Sequence, residues 1–332
     1  MKTWQETTRR TAVAIGTVLL TASALPAFAA EPAPPVDLAP ADTLGGAHQE
    51  TTTGHPCPEN GPCGNNGGIW MDAGVDVTTA YLFRGVLQEH GGFQIFQPYA
   101  DIGIDLYEGE GTVRSVGVAM GVWGSIHGRK TFADGTGPSN LYEVDIYPSV
   151  SVGWPGGIAT DVSYLIYAGP NGSFQTIQEI DAGISWDDSE VLDLGGVTLN
   201  PSALFGFEIS NTVLGSDEGI SLDLGLEPSY TLMADSSYPL TLSMPLTLGL
   251  SVSDYYACDD CGPDGEELPD EAFGYFGFGF GASVPFSFVP ADFGEVSASA
   301  GIDVYVFGDN LRAFNGLGNV YPVGTLGIAW EY

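Results

Sequence analysis

Beyond its first thirty residues, this sequence has no long apolar run, little positive charge and few cysteines. No run of about 18 or more apolar residues follows residue 30, which excludes a protein that crosses a membrane with helices. Only 15% of the residues are charged, whereas a soluble domain carries about 25%. Low charge without long apolar runs is typical of a membrane β-barrel, because lipid-facing and lumen-facing residues alternate along each strand.

Positive charge is scarce: the chain has 8 Lys and Arg residues against 42 Asp and Glu residues. Without residues 1–30, which contain three basic residues and one acidic residue, 5 basic and 41 acidic residues remain, a formal net charge of −36. Such a field disfavours nucleic acid and anionic membrane surfaces, so no nucleic-acid partner is expected. Small cationic or neutral solutes and divalent metals are the expected partners.

The first thirty residues predict export. A basic start with Arg9 and Arg10 precedes an apolar run that closes on small residues around Ala29, which is the pattern of a cleaved signal peptide. The arginine pair also permits a twin-arginine interpretation, but an ordinary charged start is favoured because a barrel must cross the inner membrane unfolded. Residues 31–68 are rich in Pro, Gly and Thr without apolar periodicity, and predict a flexible, disordered periplasmic leader.

From Ile69 to Tyr332 the sequence alternates between apolar and polar residues, which is the period of β-strands. We predict an all-β, up-and-down antiparallel transmembrane barrel over residues 69–332. Its twelve predicted strands are 69–85, 93–107, 113–127, 141–154, 157–168, 174–186, 197–210, 219–232, 240–253, 272–288, 294–307 and 320–332.

Carboxylates test this register. A charge that faces lipid costs roughly 2–4 kcal/mol at mid-bilayer, so acids must lie on the lumenal face. All the acids within the predicted strands fall opposite the apolar series: Asp72, Asp76, Asp101, Asp105, Glu143, Asp145, Asp161, Glu179, Asp181, Glu208, Asp223, Glu227, Glu295, Asp303 and Glu331. A soluble β-sandwich would alternate in the same way, but the number and length of the strands favour a membrane barrel.

Loop lengths and the C-terminus suit the outer membrane of a Gram-negative bacterium. Short connections mostly follow even strands and long ones follow odd strands, as expected when both termini are periplasmic. The last strand ends on Trp330 and Tyr332, an aromatic ending that outer-membrane assembly machinery reads. Membrane lipid and this machinery are therefore expected partners.

The segment VDVTTAYLFRGVLQ, with FQPYADIGIDLYEGEG, GVAMGVWGSI and YEVDIYPSVSVGW, resembles the TorF-type family of porins, once catalogued as conserved hypothetical proteins. The resemblance covers roughly residues 72–155 and centres on Tyr81, Phe83, Arg84 and Gly85. It implies an outer-membrane porin without catalytic residues. The cysteine-bearing leader and the long acidic loop after the ninth strand depart from the family pattern, which leaves the substrate and the pore width open.

The lumenal acids, except Glu331, form the predicted pore lining together with Arg84, the one basic residue on that face. A water-filled pore of this kind would concentrate cations, which predicts a passive, cation-preferring channel for small solutes. The alternative is a closed barrel that acts as a surface-binding or structural protein. We expect Arg84 to form ion pairs at a constriction or to anchor an infolded loop. The alternative is a structural pairing that fixes the first strand.

Four cysteines in an exported chain favour disulfides. The barrel wall would separate Cys57 and Cys63 from Cys258 and Cys261, so two local bridges are predicted within these pairs. A zinc site that combines the first pair with two leader histidines is the alternative, but it lacks the usual spacing.

The loop DDCGPDGEELPDE offers weak calcium binding as an alternative to a solvated acidic loop. The candidate ligands are Asp259, Asp260, Asp264, Glu266 and Glu267. No resident cofactor is expected, and no enzyme either. The histidines that could serve as bases near the outer mouth, His90 and His127, lie in no recognisable Ser-His-acid pattern.

Overall fold

A computed structural model describes residues 68–89, 94–128, 138–189, 191–192, 194–214, 217–236, 238–259 and 265–332. Its sheet is a closed antiparallel barrel of twelve strands, which confirms the predicted fold class. The predicted signal peptide and leader lie outside the described residues. Within the described residues, no helix has both the length and the apolar character needed to cross a membrane.

Seventeen β-segments build the barrel and one hairpin. They are β1 (Ile69–Thr78), β2 (Tyr81–Phe83), β3 (Val86–Glu89), β4 (Ile95–Glu108), β5 (Ser115–His127), β6 (Leu141–Gly153), β7 (Ile158–Ala168), β8 (Ile177–Trp186), β9 (Val197–Thr198), β10 (Ser202–Ser210), β11 (Ile220–Leu226), β12 (Ser229–Leu232), β13 (Leu240–Ser243), β14 (Leu246–Ser253), β15 (Phe273–Pro285), β16 (Glu295–Phe307) and β17 (Val320–Glu331). A 3-10 turn spans Ala291–Phe293, and helix α1 spans Asp309–Asn315.

The barrel closes between its first and last strands. β1 pairs antiparallel with β17 from Asp72↔Glu331 to Thr78↔Thr325, and with β4 on its other side. Met71 and Tyr332 exchange two backbone hydrogen bonds of 2.8 Å. Both chain ends of the barrel therefore lie at one rim, here named the terminal end; the opposite rim is the loop end.

The outward face is apolar and open to the surroundings. Ile102 is 47% exposed, Val162 52% and Leu326 55%, and comparable side chains recur on the other strands. Water disfavours so large an apolar surface, whereas lipid does not. The interior carries the carboxylates and tyrosines, and several of these are fully buried.

The first predicted strand, 69–85, is too long and is corrected here. The wall strand β1 ends at Thr78, and β2 and β3 form a separate hairpin inside the barrel. Arg84 (φ 39°) and Gly85 (φ 82°) both occupy the left-handed region, which a two-residue type I′ turn requires. Glycine adopts this conformation without steric penalty. The centre of the resemblance to the TorF-type porins, Tyr81 to Gly85, therefore lies in a hairpin rather than in the wall.

Three predicted strands are each interrupted at a proline. Residues 197–210 divide into β9 and β10 before Pro201, 219–232 into β11 and β12 at Pro228, and 240–253 into β13 and β14 at Pro245. Proline has no N–H to give to a ladder, so the pairing must restart beyond it. When each of these three pairs is counted as one strand, the barrel has twelve strands.

Candidate functional site in the barrel interior

Arg84 lies at the tip of the infolded hairpin and is held by acids from the wall. Its guanidinium donates to both carboxylate oxygens of Glu179 at 2.6 and 3.0 Å. Asp181 lies 3.2 Å away on the same strand, and Asp223 lies 3.4 Å away on β11. Tyr255 accepts a further hydrogen bond of 3.0 Å. The arginine that the sequence assigned to the lumen is therefore 4% exposed and multiply paired.

The geometry of this cluster makes it a strong anchor. A bidentate guanidinium–carboxylate pair is among the stronger charge-assisted hydrogen bonds, and removal of one buried partner leaves an uncompensated charge. Tyr275 on β15 donates to Asp223 at 2.9 Å, which satisfies a lone pair that Arg84 leaves unused. Burial and the surrounding acids oppose each other in their effect on Arg84, and the acids prevail, so its pKa lies well above the usual value and it stays charged.

The hairpin backbone is bonded to the loop end of the barrel. Asn315 on α1 accepts from the Leu87 N–H at 2.9 Å and donates to the Gly85 carbonyl at 2.8 Å. Tyr256 donates to the Arg84 carbonyl at 3.1 Å. Asn315 and Tyr256 were not among the predicted site residues, and each of these bonds joins residues that are 172 or more positions apart in the chain.

The side chains of the hairpin fill the lumen next to the loop end. Tyr81 donates to Glu143 at 3.1 Å, and Phe83 and Val86 are fully buried. Gln88 accepts from Tyr142 at 2.8 Å. The half of the lumen next to the loop end, here named the filled half, is thus a packed core.

His127 lies in the same filled half. Its Nε2 is 3.1 Å from Ser125 Oγ, and its Nδ1 is 3.5 Å from Glu89 Oε2, while Tyr142 stacks on its ring at 4.3 Å. The order of groups matches a serine hydrolase triad, which the sequence did not reveal because Glu89 comes from the hairpin. However, Ser125 is 0% exposed, so no substrate reaches it in this structure. His90, the other predicted base, lies outside the described residues.

Glu208 has a local role. Its two carboxylate oxygens accept from the Val213 and Gly219 N–H groups at 2.7 and 2.8 Å. It therefore fastens the connection between β10 and β11 rather than facing open lumen. Glu208 is 7% exposed.

The other half of the interior, towards the terminal end, contains a cavity of about 480 Å³, here named the open half. Asp76, Glu227 and Asp303 line it with serine and threonine hydroxyls. Small residues on β15 and β16, such as Gly281 and Gly301, leave this space unfilled. A water-filled, acid-lined chamber of this kind would attract cations.

The structure thus divides the predicted pore lining. Buried members, each 8% exposed or less, are Arg84, Glu143, Asp145, Asp161, Glu179, Asp181, Glu208 and Asp223. Partly exposed members are Asp72, Asp76, Asp101, Asp105, Glu227 and Asp303. Glu295 is exposed at the terminal rim, where it lies opposite Glu331.

The predicted disulfide and calcium sites stay predictions. Cys57, Cys63 and Cys261 lie outside the described residues, and so do Asp260 and Asp264. Asp259, Glu266 and Glu267 belong to the described part of that loop. Where the structure describes the chain, no three His, Cys, Asp or Glu side chains are grouped to hold a metal ion.

No family model and no curated protein matches this chain. Among solved structures, an outer-membrane channel from Pseudomonas putida F1 aligns with a TM-score of 0.44 at 10% identity, over 83% of this chain and 99% of that one. The β domain of the Bordetella autotransporter BrkA aligns at 0.40 and 11% identity, over 80% and 99%. The NanC porin aligns at 0.38 and 10% identity, over 79% and 100%.

Proposed function

We propose that this protein is an outer-membrane channel that admits small cationic or neutral solutes through a carboxylate-lined lumen. The observation that carries the proposal is the separation of charge from apolar surface around one closed wall. Large apolar side chains are exposed outside, and the strand carboxylates lie inside or at the rim. A barrel in lipid requires this arrangement.

The two ends of the barrel support an orientation. The first and last strands of the barrel begin and end at the terminal end, and the connections there include the four residues 154–157 between β6 and β7. The loop end has the longer connections. Short periplasmic turns and longer outer loops are typical of such barrels. The open half therefore faces the periplasm, and the filled half faces the outside of the cell.

The hairpin makes this a gated channel. Tyr81, Phe83 and Arg84 fill the lumen near the loop end at 4% exposure or less, so a solute passes only when the hairpin shifts. The carboxylates of the open half then give cation preference, because the potential in a narrow, low-dielectric channel is focused by its fixed charges.

Planar-bilayer conductance of the refolded mature chain tests the proposal. Asn315→Leu removes both side-chain bonds to the hairpin and should raise the open probability, with a reversal potential in a salt gradient that indicates cations. Asn319→Leu, an exposed position beyond the same helix, should conduct like the wild type. Anion preference in the open state would refute cation selectivity.

A closed barrel is the second candidate, and the packed filled half favours it. In that case neither the wild type nor Asn315→Leu conducts, and the protein acts through its outer loops. Calcium titration with hydrogen exchange would then show protection confined to the loop that contains Asp259, Glu266 and Glu267.

A further inference from the structure

Small side chains cover one continuous stretch of the wall of the open half. Across the strands from β12 to β1, the direct partners at one level are Ser229, Ser243, Gly281, Gly301, Thr325 and Thr78, and all of them line the cavity of about 480 Å³. The next level towards the terminal end adds Thr241, Ser283 and Ser299. These two levels, here named the hydroxyl band, present hydroxyl groups and backbone to the cavity in place of large side chains.

Three hydroxyl groups of the band are open to a ligand. Within the described part of the chain, those of Ser243, Ser283 and Ser299 form no hydrogen bond to another protein group. Ser283 and Ser299 are direct partners on β15 and β16, so their Cβ atoms lie about 5 Å apart. Each hydroxyl can both donate and accept hydrogen bonds. The band therefore suits a solute that has several hydroxyl groups of its own.

Carboxylates lie at both margins of the hydroxyl band. Asp76 lies opposite Gly327, and its Oδ1 atom and Ser299 Oγ both lie against the position that a Cβ atom of Gly327 would occupy. Asp303 lies beyond the other margin, opposite Val323 on β17. Since Gly327 and Val323 are four positions apart on β17, the two acids are about 13 Å apart along the strands.

This spacing decides which kind of cation the cavity can hold. A metal ion binds its oxygen ligands at about 2.0–2.6 Å, so Asp76 and Asp303 cannot share one. Nor do any three His, Cys, Asp or Glu side chains in the described ranges group to hold a metal ion. An extended organic cation, by contrast, can reach a carboxylate at a margin and the hydroxyl groups between the margins. Glu227 lines the same cavity and adds to its negative potential.

We propose that the open half binds a polyhydroxylated amine, a molecule with the chemistry of an amino sugar. Its ammonium groups pair with Asp76 and Asp303, and its hydroxyl groups exchange hydrogen bonds with the hydroxyl band. Gly281 and Gly301 allow the body of the ligand to approach the backbone closely. A cavity of about 480 Å³ lies within the size range of small-molecule sites. The inference rests on the proposed function, because it names the class of solute that this lumen would admit.

Calorimetric titration of the refolded mature chain tests the site, in polyoxyethylene micelles that carry no sugar head group. The probe is the disaccharide of D-glucosamine, which has both amines and hydroxyls. Cellobiose has the hydroxyls without the amines, and diaminooctane has the amines without the hydroxyls. We expect the glucosamine disaccharide to bind at least about five-fold more tightly than either of the others. Equal affinity for cellobiose would contradict the role of the carboxylates, and equal affinity for diaminooctane would contradict that of the hydroxyl band. Either result, or no binding, overturns the proposal.

Two pairs of variants locate the ligand. Ser299→Ala should weaken the binding of the glucosamine disaccharide about three-fold or more, whereas Ser297→Ala, on the same face of β16 but outside the cavity, should leave it unchanged. Asp303→Asn should weaken the binding of this disaccharide but not that of cellobiose. Its control, Asp105→Asn, changes a carboxylate outside the cavity and should affect neither. Wild-type affinity in both Ser299→Ala and Asp303→Asn would refute the site.

Binding in micelles and conduction in bilayers fail separately. A chain that binds the glucosamine disaccharide but conducts no ions supports this site and refutes the channel. A chain that conducts ions but does not bind the disaccharide refutes this site and leaves the channel standing.

Discussion

The filled and open halves of the interior are built from one kind of wall, yet they differ in what happens to their carboxylates. In the filled half, Glu179 and Asp181 are fully buried against Arg84. In the open half, Asp76 and Asp303 line a cavity. A buried acid must find a partner, whereas a solvated acid can act on passing ions. The hairpin therefore converts part of a pore lining into a structural core.

Removal of the Arg84 charge should give the largest effect. Arg84→Met leaves three buried carboxylates without their guanidinium and should lower the free energy of unfolding by about 3–5 kcal/mol. Urea denaturation of the folded barrel measures the change. Arg312→Met, which removes an exposed pair of 2.8 Å with Asp309, should change stability by less than about 1 kcal/mol. Equal effects would contradict the role of Arg84 as a buried anchor of the filled half.

A substitution in the turn of the hairpin should give the next largest effect. Gly85→Ala introduces a Cβ atom at φ 82° and 2.5 Å from Leu311, and should destabilise the hairpin by about 1–3 kcal/mol. Hydrogen exchange at the Leu87 amide reports its release. Gly316→Ala shares a positive φ, 61°, but meets open space. If both variants exchange alike, backbone strain alone explains the result and the packing of the hairpin tip contributes nothing.

Neutralising the open half should change selectivity without changing stability. Asp76→Asn with Asp303→Asn should shift the reversal potential of the Asn315→Leu background towards zero, and unfolding should stay within about 0.5 kcal/mol of that background. Salt-gradient measurements and urea titrations of the same samples provide both values. An unchanged reversal potential would mean that the open half does not set selectivity.

Salt should give the smallest and most discriminating effect. Between about 0.1 M and about 1 M salt, the screening length falls from about 10 Å to about 3 Å. The cation preference of the solvated open half should weaken, while the stability difference between wild type and Arg84→Met should persist because Arg84 is buried. A stability difference that disappears at high salt would place Arg84 in solvent.

The sequence predicted the wall better than its contents. Alternation identified all twelve strands, because each carries its apolar and polar faces within a few residues. It missed the end of β1, since Tyr81 and Phe83 continue the alternating pattern inside the lumen. The one local signal for the hairpin was Gly85, and Arg before Gly is not a usual type I′ pair.

The partners of Arg84 were beyond sequence reasoning. Glu179 and Asp181 lie 95 and 97 positions away, and the resemblance to the TorF-type family, which stays a prediction, supplies no such pairing. The Ser125 and Glu89 contacts of His127 likewise depend on where the hairpin lies. Prolines in the seventh to ninth strands were visible, but only the register shows that their breaks are adjacent.

By itself the sequence determined the closed twelve-stranded wall, the face on which each acid lies and the scarcity of cationic partners for those acids. These follow from periodicity and composition, which are local properties. Only the tertiary structure decided which acids are buried around Arg84 and which line a cavity. Those outcomes depend on the hairpin entering the lumen, and many weak contacts between distant segments determine that path.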